Sequence, residues 1–167
     1  MIIEAANVSD AAEILALQKL AYFGEAEIYN EFGIPPMTQT FAEILADFDR
    51  CVFLKTSVDG KIIGSVRAYA QFGTCFIGRL IVRPDYQNRG IGTRLMHDIE
   101  QRFDGVERYE LFTGHLSERN LHLYDMLGYR PFRTERVTDS LSLIYLEKFN
   151  PASSLQYKTD LSICHSE

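Results

Sequence analysis

The feature that most constrains this chain is a glycine-spaced turn that joins an apolar strand to a helix. The apolar run Leu80–Val82 leads into Gln87–Gly92, which reads Gln-Asn-Arg-Gly-Ile-Gly. Leu95, Ile99 and Phe103 then recur at every fourth position, a spacing that favours a helix. Such a turn directs several backbone N–H groups and the positive end of a helix dipole towards one point. The arrangement predicts a site for a phosphate or pyrophosphate group.

Two familiar nucleotide-binding motifs do not fit this turn. A P-loop ends in Gly-Lys followed by Ser or Thr, whereas here the chain continues Gly92-Thr93-Arg94. A dinucleotide-binding fingerprint has a further glycine where Leu95 stands, and it lies in a parallel βαβ unit. By itself, Gly-x-Gly spacing is also typical of an ordinary helix start. If the turn binds a ligand, that ligand is a phosphate-carrying cofactor other than those bound by these two motifs.

The strand before the turn ends a series of predicted antiparallel strands. Cys51–Val58 and Lys61–Tyr69 are rich in β-forming residues and are joined by Asp59-Gly60, a strong signal for a two-residue hairpin turn. A second turn at Gly73-Thr74 leads into Cys75–Val82. We therefore expect a three-stranded meander to hold the glycine turn in place.

Two helices are predicted before this meander. Ser9 can cap the first, and Thr40 with Glu43 has the capping-box spacing for a short helix over Phe41–Phe48. The stretch Gly24–Gln39 between them is predicted to be a long loop or a broken helix, because it contains two adjacent prolines.

The rest of the chain adds further helices and strands. They are a helix after Gly92, a strand at Tyr109–Thr113, a helix at Glu118–Leu127 and a hairpin of Arg130–Val137 with Leu141–Leu146. The predicted order is β α α β β β α β α β β, in one domain over residues 1–149. Residues 150–167 have no sustained period, so we expect a tail, or an arm that contacts a neighbour.

Charge and cysteine usage narrow the function. There are 17 Lys and Arg residues against 23 Asp and Glu, a formal net charge of −6, which argues against nucleic acid as a main partner. The sequence shows neither a signal-peptide pattern nor an apolar run long enough to span a bilayer, so we expect a cytoplasmic protein with no membrane partner. Its three cysteines lack the spacing of a disulfide framework or a metal knuckle.

Two segments resemble the motifs of the GNAT superfamily of N-acyltransferases. Gln87–Gly92 is similar to the family's acetyl-CoA motif, Gln/Arg-x-x-Gly-x-Gly/Ala. Asn120–Tyr129 is similar to a later motif with Asn, Tyr and Gly-Phe/Tyr, although only three residues separate Asn120 from Tyr124 here. The resemblance covers about residues 1–149 and implies an α+β fold of three layers, α/β/α, with a mixed, mostly antiparallel sheet of about seven strands.

The resemblance also implies acetyl-CoA as the cofactor. In the family, the strands that correspond to Leu80–Val82 and Tyr109–Thr113 diverge, and the pantetheine arm enters the gap. The N–H groups of about Gln87–Thr93 hold the pyrophosphate, and Arg89 and Arg94 either add positive charge there or stay solvated. The implied cofactor-binding residues are Leu80, Ile81, Val82, Gln87, Asn88, Arg89, Gly90, Ile91, Gly92, Thr93, Arg94, Asn120 and Tyr124.

The implied reaction is direct attack of a primary amine on the acetyl carbonyl in a ternary complex. The amine belongs to a small molecule or a peptide. Tyr124 matches the family's general acid, which protonates the departing CoA thiolate. Its alternative role is that of a core aromatic residue, because Leu121, Tyr124 and Leu127 share one helix face.

The general base is left open by the sequence. Several family members carry a carboxylate on the cofactor strand, whereas Cys75–Arg79 contains no acid. The candidates are Glu31 and His115, with a water relay as the third option. The alternative for Glu31 is a solvated loop acid, and the alternative for His115 is an ordinary residue at the end of a strand. His97 and His122 lack metal-ligand spacing, so no metal is expected.

The acceptor is expected to meet the segment Glu25–Met37, unless that segment simply covers the core. Within it, Tyr29, Glu31, Phe32 and Met37 are the predicted substrate-binding residues, and its acids suit a cationic acceptor. Two other functions stay open: transfer of another acyl group or transfer to a hydroxyl, and an acyl-CoA-binding sensor or interaction module with little catalysis. A homodimer is a further option, since symmetric dimers are common.

Overall fold

The computed structural model describes residues 1–153, in which seven strands form one sheet. The strands are β1 (Ile3–Ala5), β2 (Val52–Val58), β3 (Lys61–Gln71), β4 (Thr74–Val82), β5 (Arg108–Gly114), β6 (Arg130–Arg136) and β7 (Ser142–Phe149). They are arranged in the order β1-β2-β3-β4-β5-β7-β6, and every neighbouring pair is antiparallel except β4 with β5. This confirms the predicted mixed, mostly antiparallel sheet.

Helices cover both faces of this sheet. They are α1 (Ala11–Tyr29), α2 (Pro35–Thr38), α3 (Phe41–Phe48), α4 (Ile91–Arg102) and α5 (Glu118–Met126). On one face, Leu95 and Ile99 of α4 pack with Tyr124 of α5 in the larger buried cluster. On the other, Ile14 of α1 and Ile44 of α3 form a second cluster. The α+β fold of three layers is therefore confirmed.

Local turn and cap signals account for much of this architecture. Asp59 and Gly60 have φ values of 51° and 72°, as a tight hairpin turn requires. The second turn uses Phe72 and Gly73, one residue earlier than the sequence pattern indicates. In α3 the Thr40 hydroxyl accepts from the Glu43 N–H at 3.2 Å, which confirms the predicted capping box.

Of the two predictions for Gly24–Gln39, the broken helix is correct and the long loop is wrong, since α1 runs to Tyr29 and α2 covers Pro35–Thr38. Helix α1 continues through Gly24 to Tyr29, because Ala26 and Tyr29 bury their side chains and outweigh the cost of one helical glycine. The helix ends where Asn30 adopts a left-handed conformation, with φ 51°. At the amino-terminal end Asn7, rather than Ser9, is the capping residue, and it caps the 3₁₀ turn that leads into α1.

The central parallel pair of strands separates after a short contact. β4 and β5 are paired only from Thr74 with Arg108 to Phe76 with Glu110. Beyond that point β4 stays paired with β3 as far as Val82, and β5 stays paired with β7 as far as Gly114. The two strands therefore enclose a gap that opens towards their carboxyl ends.

The described chain ends shortly after the sheet. Asn150 donates to the carbonyl oxygens of Asp104 and Val106, at 2.7 and 2.8 Å. Residues 154–167, which include Cys164 and most of the predicted tail, lie outside the described residues, so the boundary at residue 149 stays a prediction. Within residues 1–153, no helix is both long and apolar enough to cross a membrane.

Candidate active site

The glycine turn presents a row of unused backbone donors at the open end of the gap. Asn88 and Gly90 have φ values of 60° and 76°, and α4 begins directly afterwards at Ile91. The N–H groups from Asn88 to Thr93 donate to no acceptor within the described chain. These amides, with the amino-terminal end of α4, form an anion site of the kind that binds pyrophosphate. The predicted phosphate turn therefore has the geometry it requires.

A first cavity of about 530 Å³ lies beside this turn, between β4, α4 and α5. The predicted cofactor-binding residues that line it are Leu80, Val82, Gln87, Asn88, Gly90, Ile91, Gly92, Thr93 and Asn120. A Cβ on Gly92 would lie 3.5 Å from Leu123 and 3.8 Å from Leu80. The glycine therefore leaves free the space between these two side chains. The first cavity suits a long ligand that carries phosphate at one end.

Four predicted cofactor-binding residues lie elsewhere. Ile81 is buried in the cluster with α1 and α3. Arg89 stacks on Tyr86, at 4.9 Å from the ring centroid, and donates to the Asp85 carbonyl at 3.0 Å. Neither Arg94 nor Tyr124 lines the first cavity.

A second cavity of about 370 Å³ opens between α1, β4, β5 and the turn after β6. It shares Leu80 and Asn120 with the first cavity, so the two meet where β4 and β5 separate. Of the four predicted substrate-binding residues, Tyr29 and Glu31 line the second cavity. The other two predicted residues do not line it: Phe32 is exposed and contacts Phe23, and Met37 lies within α2.

Tyr124 lies in the wall of the second cavity, close to its junction with the first. Its side chain is only 6% exposed, and its hydroxyl has no hydrogen-bond partner within residues 1–153. Burial raises the pKa of Tyr124, and the neighbouring Tyr22 and Glu25 raise it further. The phenol therefore stays protonated and is able to donate its proton to a ligand.

Asn120 links the two walls of the gap. Its Nδ2 donates to the Thr113 hydroxyl at 3.3 Å, which ties α5 to the end of β5. Because Asn120 lines both cavities, a group that passes from one to the other must pass this side chain.

A chain of hydrogen bonds ends on Glu25 in the second cavity. The Leu116 N–H donates to the Tyr29 hydroxyl at 2.8 Å, and Tyr29 lies 3.1 Å from the Ser117 hydroxyl. Ser117 in turn donates to the carboxylate of Glu25. The second cavity therefore contains a hydrogen-bonded carboxylate that the sequence did not mark as a base.

The two predicted base candidates are placed differently. Glu31 lines the second cavity, and its Oε1 accepts from the Ser140 hydroxyl at 3.1 Å. His115 does not line it, and its Nδ1 lies 3.0 Å from the Ser142 nitrogen and 3.2 Å from the Ser142 carbonyl oxygen. The tautomer of the ring decides which of these two contacts is a hydrogen bond.

Comparison with known families decides the identity of this fold. Residues 12–129, well over half of the chain, match the model of the acetyltransferase (GNAT) family. The chain belongs to the GNAT family. This GNAT domain is therefore a domain of an acetyltransferase family, and free backbone N–H groups lie beside its first cavity.

Several known proteins are similar to this GNAT domain. The ribosomal-protein-S18-alanine N-acetyltransferase of Escherichia coli superimposes with a TM-score of 0.74 at 16% identity, over 89% of this chain and 93% of that one. The acetyltransferase yncA of Salmonella typhimurium, solved with acetyl-CoA, superimposes with a TM-score of 0.70 at 19% identity, over 89% and 92%. UPF0157 protein YqkA of Bacillus subtilis is 28% identical over 94% of this chain, which spans about half (46%) of that relative.

Sequence reasoning missed several residues of the GNAT site. Arg119, in the first turn of α5, lines the first cavity and donates to the Gln87 side chain across it. Its position next to Asn120 was the available signal. His97 and His122 also line the first cavity, and the position of His97 one turn after Thr93 on α4 was a signal of the same kind.

Proposed function

We propose that this GNAT domain transfers the acetyl group of acetyl-CoA to a primary amine of a small molecule or a peptide, by direct attack in a ternary complex. The observation that carries the proposal is the meeting of the two cavities at Leu80 and Asn120, in the gap between β4 and β5. A donor and an acceptor bound in adjoining cavities can react without a covalent enzyme intermediate.

On the donor side, the chain supplies backbone groups. The free N–H groups from Asn88 to Thr93 bind the pyrophosphate, and the edge of β4 beyond Phe76 is available to pair with the amides of the pantetheine arm. When bound, acetyl-CoA supplies an activated thioester. Leu80 and Val82, which line the first cavity, would hold its arm.

On the acceptor side, the chain supplies proton donors and acceptors. The Tyr124 hydroxyl, kept protonated by burial, donates to the departing thiolate. Glu25 and Glu31 both line the second cavity, so either carboxylate can take the proton of an ammonium group, directly or through water. His115 is the weaker candidate because it does not line the second cavity.

The proposal is tested by release of free CoA thiol with a panel of small amines, peptides and matching alcohols. We expect release with at least one amine and not with its alcohol. If CoA raises the melting temperature but no acceptor releases thiol, the domain is an acyl-CoA-binding module instead. Should saturating acetyl-CoA leave the melting temperature unchanged, the assignment of the first cavity is wrong.

Location and assembly are part of the proposal. We expect the domain to work in the cytoplasm and propose a two-fold homodimer, which sedimentation of the full chain will test. Because the chain spans only 46% of its curated relative, these features and the acceptor are proposed for this chain alone.

A further inference from the structure

One cation in the second cavity lacks an anionic partner. Arg79 lies at a bulge in β4, where the pairing with β3 shifts register, and its φ is 50°. Its Nε atom is buried and has no hydrogen-bond partner within the described chain. None of the carboxylates described in residues 1–153 lies within ion-pair distance of the guanidinium group. Burial lowers the pKa of Arg79, as expected for a charge that has lost water.

Two of the acids near Arg79 are already paired with other cations. Asp47 is bound by Arg67, by Arg50 at 2.8 Å and by the Gln39 amide at 2.6 Å. Asp47 therefore forms no ion pair with Arg79 and attracts it only at longer range.

The second of these acids is Glu110, which lines a cavity together with Arg79. Glu110 pairs with Arg108 at 2.7 Å. Arg79 contacts the uncharged side chain of Tyr22, but its buried positive charge has no carboxylate partner within residues 1–153 and can accept an anionic ligand.

The position of Arg79 indicates which ligand this is. Arg79 lines the second cavity and a neighbouring third cavity of about 690 Å³, but it does not line the first cavity. Its guanidinium lies over the ring of Tyr22, at 5.9 Å from the centroid. It therefore faces the acceptor and not the phosphates of the donor.

The same cavity contains unpaired negative charge. Glu25 and Glu31 line it, and neither forms an ion pair with a cation of residues 1–153. The phenol of Tyr22 interacts electrostatically with both Arg79 and Glu25. The second cavity thus contains both signs of charge, each without a protein partner of the opposite sign.

We infer that the acceptor is a zwitterionic amine, with a carboxylate on the same small molecule as the reacting amine, as in a free amino acid or short peptide. Arg79 binds the carboxylate, and Glu25 or Glu31 holds the ammonium until it loses its proton. This inference rests on the proposed function and names the substrate class of the same site.

Matched acceptors test this inference. Phenylalanine is compared with phenethylamine, and lysine with cadaverine, so that each pair differs only by the carboxylate. Wild type should favour the amino acid by about 10- to 100-fold in kcat/KM, the value of one charge-assisted contact. Arg79→Gln should remove this preference by raising KM for the amino acid, with kcat/KM for the plain amine and KM for acetyl-CoA unchanged.

Two further variants control the experiment. Arg79→Lys should restore part of the preference, because it restores the charge without the two-pronged geometry. Arg130→Gln should leave the preference intact, since Arg130 forms an exposed pair with Asp125.

The inference fails separately from the proposed function. If wild type uses both members of a pair equally, or if Arg79→Gln slows both equally, Arg79 is not a carboxylate site although the acetyltransferase stands. If nothing releases thiol, the proposed function fails, and calorimetric titration of the same pairs into the CoA-bound protein decides the site. Binding of the amino acid alone, lost in Arg79→Gln, supports the inference, and no difference overturns it.

Discussion

The hydroxyl of Tyr29 accepts a hydrogen bond from the Leu116 N–H at 2.8 Å, directly over the Cα of Gly114. This contact joins the end of α1 to the end of β5, at the wall of the second cavity. A Cβ built on Gly114 would lie 2.2 Å from the Tyr29 hydroxyl, so only glycine leaves room for this hydrogen bond. The wall of the second cavity therefore depends on a glycine at position 114.

Gly114→Ala should displace Tyr29 and destabilise the domain. The overlap predicts a loss of about 1–3 kcal/mol in the free energy of unfolding, measured by denaturant titration. Gly24→Ala is the matched control, because Gly24 is an exposed helical position with open space around it, and it should gain about 0.5–1 kcal/mol. Equal stability of wild type and Gly114→Ala would mean that Tyr29 moves without cost.

Tyr124→Phe should slow thiol release by about 10²- to 10⁴-fold, the usual contribution of a positioned general acid. The KM for acetyl-CoA should change little, since Tyr124 does not line the first cavity. Tyr129→Phe is the control: its hydroxyl bonds to Glu100 at 2.7 Å, so stability should fall without loss of turnover per folded molecule. Unchanged turnover in Tyr124→Phe would leave Tyr124 as a core residue.

The rate of wild type should not fall as the pH rises through 10.0, the ordinary pKa of a tyrosine. Burial raises the pKa of Tyr124, so its phenol keeps its proton above that pH and continues to act as an acid. The measurement is kcat with saturating amine against pH, alongside circular dichroism to confirm that the domain stays folded. A fall in kcat centred at or below pH 10.0 in folded protein would contradict the assignment.

Gly90→Ala should weaken the binding of acetyl-CoA. Gly90 has a φ of 76°, and a side chain at such a position costs about 1–2 kcal/mol. The variant is expected to relax towards negative φ and turn its amides away from the phosphates. With ligand at 100 times Kd, wild type should gain about 2.7 kcal/mol of stability, and the variant should gain less at that concentration. Gly105→Ala, which meets no atom within 4 Å, should bind like wild type.

Arg79→Gln should stabilise the ligand-free domain by about 1 kcal/mol, because it removes a buried charge that has no carboxylate partner within residues 1–153. Arg67→Gln should have the opposite effect and cost about 3 kcal/mol, since it takes a cation from the buried Asp47. Thermal and chemical denaturation of the two variants give the comparison. A loss of stability in Arg79→Gln would show that Arg79 supports the bulge rather than a ligand.

Features that depend on neighbouring residues were predictable from the sequence. The Asp59-Gly60 turn, the Thr40 and Glu43 capping box and the glycine turn all follow from residues a few positions apart. Each of these features requires only the backbone conformation of a few adjacent residues, so the residue types at those positions decide whether it forms.

Features that depend on distant parts of the chain were not predictable in this way. Helix α1 continues past Gly24 because Ala26 and Tyr29 meet residues far along the sequence, including Ser117. Arg79 has no ion pair with Asp47 because Asp47 pairs with Arg50 and Arg67 instead. Neither relation has a pattern in the local sequence, since propensity yields to tertiary contacts.

The separation of β4 and β5 after Phe76 gives this sheet inner borders as well as outer ones. β1 and β6 form the outer borders, while the later parts of β4 and β5 face each other with main-chain groups that no strand satisfies. A ligand in the gap would form hydrogen bonds with these groups and so connect the two halves of the sheet. Amide hydrogen exchange at residues 77–82 should therefore slow when the gap is filled, which makes the backbone itself a reporter of the loaded state.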